Sequence, residues 1–303
     1  MGVGFALVSV STYGGILPGQ ENSTDPTKMT GGRGIVPPKG GNMFCYQCEQ
    51  AAGGKGCSNS GVCGKAPEVS ALQDLIIYQL KGIGYLANEA RKNKAEIDRV
   101  INRFTVDSLF TTVTNVNFDP ERLEKILREG ELIRKKTLDI YASSAKAAFK
   151  EQALPEEAKY TPPETLGEME EDGQEKGILS GEVNEDLRSV KQLLTYGLKG
   201  MAAYANHAYI LGKEDEGVYA FFHKALAALT NKDIKLEEVV ALNMECGQTN
   251  IKVMELLDAG HTEKFGHPVP TVVSTGLKEG PAIIVSGHDL VDLEELLKLT
   301  EKA

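Results

Sequence analysis

The chain has 303 residues, 41% hydrophobic and 25% charged, a composition that excludes a disordered or fibrous protein. Lys and Arg number 33 against 43 Asp and Glu, and the net charge of −10 argues against a binder of nucleic-acid phosphates. No run approaches the roughly 18 apolar residues that cross a bilayer, and residues 1–17 lack the basic segment and cleavage site of a secretory signal. A cytoplasmic protein with no membrane or nucleic-acid partner is expected, with room for one large domain or two to three smaller ones.

The first 42 residues hold ten Gly and four Pro and show no helical or strand period. They read as an extension with little packed structure, ahead of a natural start at Met43-Phe44-Cys45. Translated upstream sequence and a flexible leader are both open readings.

Residues 43–66 carry four of the five cysteines. Cys45, Cys48, Cys57 and Cys63 are spaced C-x2-C-x8-C-x5-C, and Cys246 stands alone. An odd number of cysteines in a long chain argues against a disulfide scaffold. Thiolates this close repel one another unless a cation or cluster shares their charge, so the group reads as a metal site. The glycines among them let backbone N–H groups reach sulfur, which suits an iron–sulfur cluster. Structural zinc stays open, although zinc sites more often pair two short C-x2-C knuckles.

From Leu72 the pattern turns helical. Leu72, Leu75, Ile76, Leu80, Ile83, Leu86, Ala87 and Ala90 recur at three and four residues, one face of an amphipathic helix. A second helix is expected over 94–113 and a third over 120–148, with Asp119 as N-cap and Pro120 at the first position. The motif Tyr78-Gln-Leu-Lys-Gly82 returns as Tyr196-Gly-Leu-Lys-Gly200, and Ala87-Asn88 as Ala205-Asn206, at an offset of 118. Thr114-Asn115 returns as Thr230-Asn231, and helices are expected over 185–211, 216–229, 236–245 and 250–258. Two similar three-helix bundles, 67–150 and 187–267, follow from this repeat. Gly82 and Gly200, mid-helix in both copies, predict close helix–helix approach.

The connector 151–186 holds twelve Asp or Glu against two Lys. It reads as a solvated, partly irregular crossover, with a docking face for a basic electron-transfer partner as the alternative. After residue 267 the pattern changes class. Apolar runs at 271–274 and 282–285, a Gly turn and a Leu-rich helix from 290 read as the opening βα unit of an α/β domain over 268–303. Such a unit cannot bury its own faces, so the domain looks truncated. His288 falls in the loop after the second strand, where open α/β sheets bind ligands and where the following helix start keeps an imidazole neutral. Metal ligation and a simple hydrogen-bonded turn are both open there. His207, His223, His261 and His267 show no site spacing, and Cys246 reads as a buried thiol.

These residues together resemble the hybrid-cluster (prismane, or hydroxylamine reductase) proteins. The resemblance rests on Phe44-Cys45-Tyr-Gln-Cys48-Glu-Gln with Cys57 and Cys63, the run from Tyr196 to Ala205, Met254-Glu-Leu-Leu-Asp258, and Gly280-Pro-Ala-Ile-Ile-Val-Ser-Gly-His288. It implies an α domain followed by a Rossmann-like α/β domain. It implies that Cys45, Cys48, Cys57 and Cys63 hold a [4Fe-4S] cluster and that His288 is a ligand of a hybrid [4Fe-2O-2S] cluster. The other hybrid-cluster ligands of the family lie beyond residue 303, so the resemblance implies a relay cluster here without an assembled catalytic centre. The family reaction would be two-electron reduction of hydroxylamine to ammonia and water, or reduction of nitric oxide, fed by a redox donor. Rival readings are a free-standing [4Fe-4S] electron-transfer subunit, a structural four-cysteine zinc module, and a carbon monoxide dehydrogenase relative.

Overall fold

Proline at a helix start and Asp or Asn just before it set most of the helix boundaries. The computed structural model describes residues 43–180, 182, 184–276, 279–287 and 290–302, so the extension 1–42 and His288 lie outside the described residues. Helix α1 (Pro67–Lys92) opens on a proline whose missing N–H is not needed there, and ends on Arg91 and Lys92. Its start precedes the apolar period because Val69, Ser70 and Ala71 are buried as well. Helix α2 (Arg99–Thr111) starts later than the expected 94, where the Asp98 carboxylate accepts the Val100 N–H. Helix α3 (Pro120–Ala145) is capped by Asp119, which accepts the N–H groups of Glu121 and Arg122 at 3.0 and 3.3 Å.

The connector folds. Short α4 (Glu156–Lys159) and α5 (Leu166–Glu175) both pack on α1, and Met169 and Ala158 are fully buried. A Cβ at Gly173 would overlap the Ala71 carbonyl, and one at Gly82 would overlap the Glu157 carbonyl. The close approach expected at Gly82 is thus made by the connector. Gly200 has nothing within 4 Å of a built Cβ, so the same expectation fails there.

The second copy comprises α6 (Glu185–Ile210), α7 (Glu216–Ala228) and α8 (Leu236–Phe265). Helices α1 and α6 have 26 residues each and α2 and α7 have 13 each, so the repeat extends to helix length. The two helices expected over 236–258 are one. Cys246 and Gly247 stay helical because α8 packs along α6, with the Asn243 amide donating to the Val190 carbonyl. Within each copy α1 packs on α3 and α6 on α8; between copies α1 packs on α7 and α2 on α6. The triplets therefore interlock around one core in place of two separate bundles. Leu72, Leu75, Leu80, Ile83, Leu198, Phe222 and Leu226 are all fully buried in it, each contributing roughly 1.5–3 kcal/mol relative to exposure.

The chain divides into two compact units, one spanning 32–266 and another that holds the residues from His267 onward. In the second, 267–276 and 279–287 have no regular secondary structure, and α9 (Leu290–Thr300) follows. The strands expected at 271–274 and 282–285 form no ladder among the described residues, and Val272 and Ile284 are 101% and 86% exposed. Strand N–H and C=O groups need a neighbouring strand, and none lies among the described residues. No described helix is long and apolar enough to cross a membrane.

Candidate metal centre

The cysteine loop is held by its own backbone. Cys45 and Cys57 exchange N–H···O bonds of 3.0 and 2.8 Å, and Met43 donates to the Ser58 carbonyl. Gly56 sits at φ 134°, and a Cβ there would lie 2.5 Å from the Phe44 ring, so only glycine lets this turn close on Phe44. The Gly61 N–H donates to the Lys65 carbonyl at 2.8 Å, folding the second half back toward α1.

As a result Cys45, Cys48, Cys57 and Cys63 line one small cavity, which Thr114 from the first helical copy also borders. All four are free thiols. Donors point at sulfur: Ala52 N–H at 3.4 Å from Cys57 Sγ, and Gln47 Nε2 and Lys65 Nζ each at 4.0 Å from Cys45 Sγ. Among the described residues no three His, Cys, Asp or Glu side chains form a group that could hold a single metal ion. An all-thiol donor set with N–H and ammonium donors at sulfur fits a sulfur-ligated cluster.

Beyond Cys45 lies a second cavity of about 480 Å³. Its walls reveal what the repeat positions: Ser70 and Arg188, Asp74 and Gln192, Ile77 and Thr195, Tyr78 and Tyr196, Lys81 and Lys199 all line it. Each pair is one place in the two copies, 118 residues apart, so α1 and α6 present the same register to one space. Lys65 is 2% exposed and its ammonium is fixed by Gln73 Oε1 at 2.5 Å, while Gln73 Nε2 donates to the Asn117 carbonyl. Lys199 is 5% exposed and donates to the Thr112 carbonyl at 3.3 Å.

Burial dominates the electrostatics here. It pushes the Asp74 carboxyl up to about 6, against the pull of Lys199 and Lys65. It lowers Lys81, and it lowers Lys199 to about 8, where Asp74 and Cys45 support the charged form. Lys199 remains mostly cationic at neutral pH. Burial also raises Tyr196, whose ring meets Tyr46 edge-on at 5.8 Å.

The four expected cysteines thus line one cavity, while His288 lies outside the described residues. Cys246 is buried on α8 beside Gly197, its thiol pushed up to about 11 by burial. His207 meets the Phe110 ring edge-on, and His261 lies tilted against the Phe265 ring. His223 is wholly buried between Thr105 and Arg91. Sequence reading missed Lys65, Asp74 and the shared cavity. The available signal was the lysine kept at one place in both copies of an otherwise apolar motif.

A family model described as the Prismane/CO dehydrogenase family matches residues 43–303. The chain belongs to this family. Hydroxylamine reductases from Syntrophobacter fumaroxidans and Geobacter sulfurreducens are each 49% identical to it, over 86% and 85% of its length. One from Halothermothrix orenii is 46% identical over 86%. In each case the match covers 47% of the relative, so the chain spans about half the length of the curated relatives it matches. Their name is that of an oxidoreductase enzyme family, to which the resemblance read from the cysteine loop also pointed.

Proposed function

We propose that this chain carries the electron-entry site of a hydroxylamine reductase, with Cys45, Cys48, Cys57 and Cys63 holding a [4Fe-4S] cluster. The observation that carries the reading is the convergence of these four thiols on one cavity with N–H and ammonium donors at sulfur. When bound, such a cluster supplies one-electron transfer, which two-electron reduction of hydroxylamine to ammonia and water draws on twice. The chain's own residues ligate, exclude water and set the local charge. Phe44 and Tyr46 pack ring to ring at 5.2 Å over the loop, and Lys65 places a cation at Cys45.

His288 is proposed as a ligand of the hybrid cluster, on the resemblance alone, and residues from 268 as the opening of an α/β domain. The substrate would be hydroxylamine or nitric oxide and the partner a redox donor, in the cytoplasm, where free thiols persist. Iron, sulfide and zinc analysis of anaerobically purified protein tests the reading. About four irons with matching sulfide and a broad brown absorbance are expected. Stoichiometric zinc without iron would replace it with a structural zinc module.

A further inference from the structure

Among the ammonium groups that line the 480 Å³ cavity, those of Lys65, Lys81 and Lys199 have no carboxylate within 4.0 Å among the described residues. Buried cations without a partner are costly, so a negative charge is expected nearby. Asp74 is one carboxylate facing three ammonium groups, Lys199, Lys65 and Lys81, and it leaves positive charge over. A further source of negative charge is the cysteine loop. Lys65 Nζ stands 4.0 Å from Cys45 Sγ, and Lys199 lines the same cavity as Cys45, its ammonium on the Thr112 carbonyl, two residues from the Thr114 that borders the four cysteines.

We infer that Lys65 and Lys199 are the built-in counter-charge of the four-cysteine centre and hold its reduction potential up. The inference rests on the cluster reading above. Four thiolates leave such a centre anionic, and one-electron reduction adds a further negative charge. A fixed cation in a water-poor wall favours that reduced state. The repeat supplies an internal control. Lys81 holds the place of Lys199 in the first copy, but its neighbour Gly82 lies under the Glu157 carbonyl of the connector, and Glu157 supports its charged form. The two equivalent lysines should therefore differ in effect.

A redox titration of the anaerobically purified chain, followed by absorbance and electron paramagnetic resonance, tests this. Lys199→Gln should lower the equilibrium constant for one-electron reduction about tenfold, a potential more negative by about 59 mV, with iron and sulfide content unchanged. Lys199→Arg should restore the potential, and Lys81→Gln should move it far less. If Lys199→Gln does not fold, Lys65→Gln is read the same way, with the same direction expected. An unchanged potential in a variant with full iron content, or an equal shift in Lys81→Gln, overturns the inference while leaving the cluster in place. Wild-type protein without iron overturns the cluster reading and this inference with it.

Discussion

Gly82 and Gly200 hold one place in two copies of a motif, yet the first is pinned under the Glu157 backbone and the second faces open space. Their neighbours Lys81 and Lys199 line the same cavity, but Glu157 of the connector supports the charge of the first and Cys45 of the cysteine loop that of the second. The copies agree in helix length and register and differ in what has been laid against them: connector helices on α1, the cysteine loop toward α6. An internal repeat builds a frame with two equivalent walls, and segments outside the repeat make those walls unequal. Whatever chemistry the cavity supports follows from that inequality.

The largest expected effect breaks both copies at once, where they interlock. His223 of α7 is buried against α1 and α2, and burial and Arg91 lower its pKa from 6.5 to about 3. The unfolded chain takes up a proton that the folded chain refuses. The stability contribution is therefore full above pH 6.5 and is lost as pH falls from 6.5 toward 3, by about 5 kcal/mol at most. Urea unfolding at pH 6.5 and pH 5 should differ by about 2 kcal/mol from this group, and the difference should shrink in His223→Gln. Next in size, Gly82→Ala should cost about 1–3 kcal/mol, because the new methyl meets backbone that cannot rotate away. Its counterpart Gly200→Ala should gain up to about 1 kcal/mol from helix propensity, with no neighbour to displace. Opposite signs in the two unfolding midpoints sharpen the contrast between copies; equal signs would erase it. The smallest effect belongs to Cys246→Ala, at about 1 kcal/mol or less, with no change in bound metal.

Much of this was legible in the sequence, for identifiable reasons. Asp119 and Pro120 announce their helix because capping is local chemistry. The four cysteines announce a site because their spacing brings them together before any tertiary contact forms. What the sequence hid was long-range. Nothing near Gly173 or Met169 signals that an acidic connector will dock on α1, since charged residues on one side of α5 mask the small buried ones on the other. The continuity of α8 through Cys246 depends on packing along α6, which no propensity encodes. Lys199 repeats Lys81 in the sequence, but that repeat does not show that α1 and α6 enclose one cavity. The apolar runs at 271–274 and 282–285 carry a strand pattern, but a pattern cannot supply the neighbour that a strand requires.

The central claim is that four cysteines, and not the fifth, hold an iron–sulfur cluster. Iron and acid-labile sulfide per chain, measured anaerobically across the five single Cys→Ala variants, address it most directly. The account predicts about four irons in wild type and Cys246→Ala, and a loss of iron in the variants at Cys45, Cys48, Cys57 and Cys63. Full iron content in any of those four, or its loss with Cys246, would contradict it.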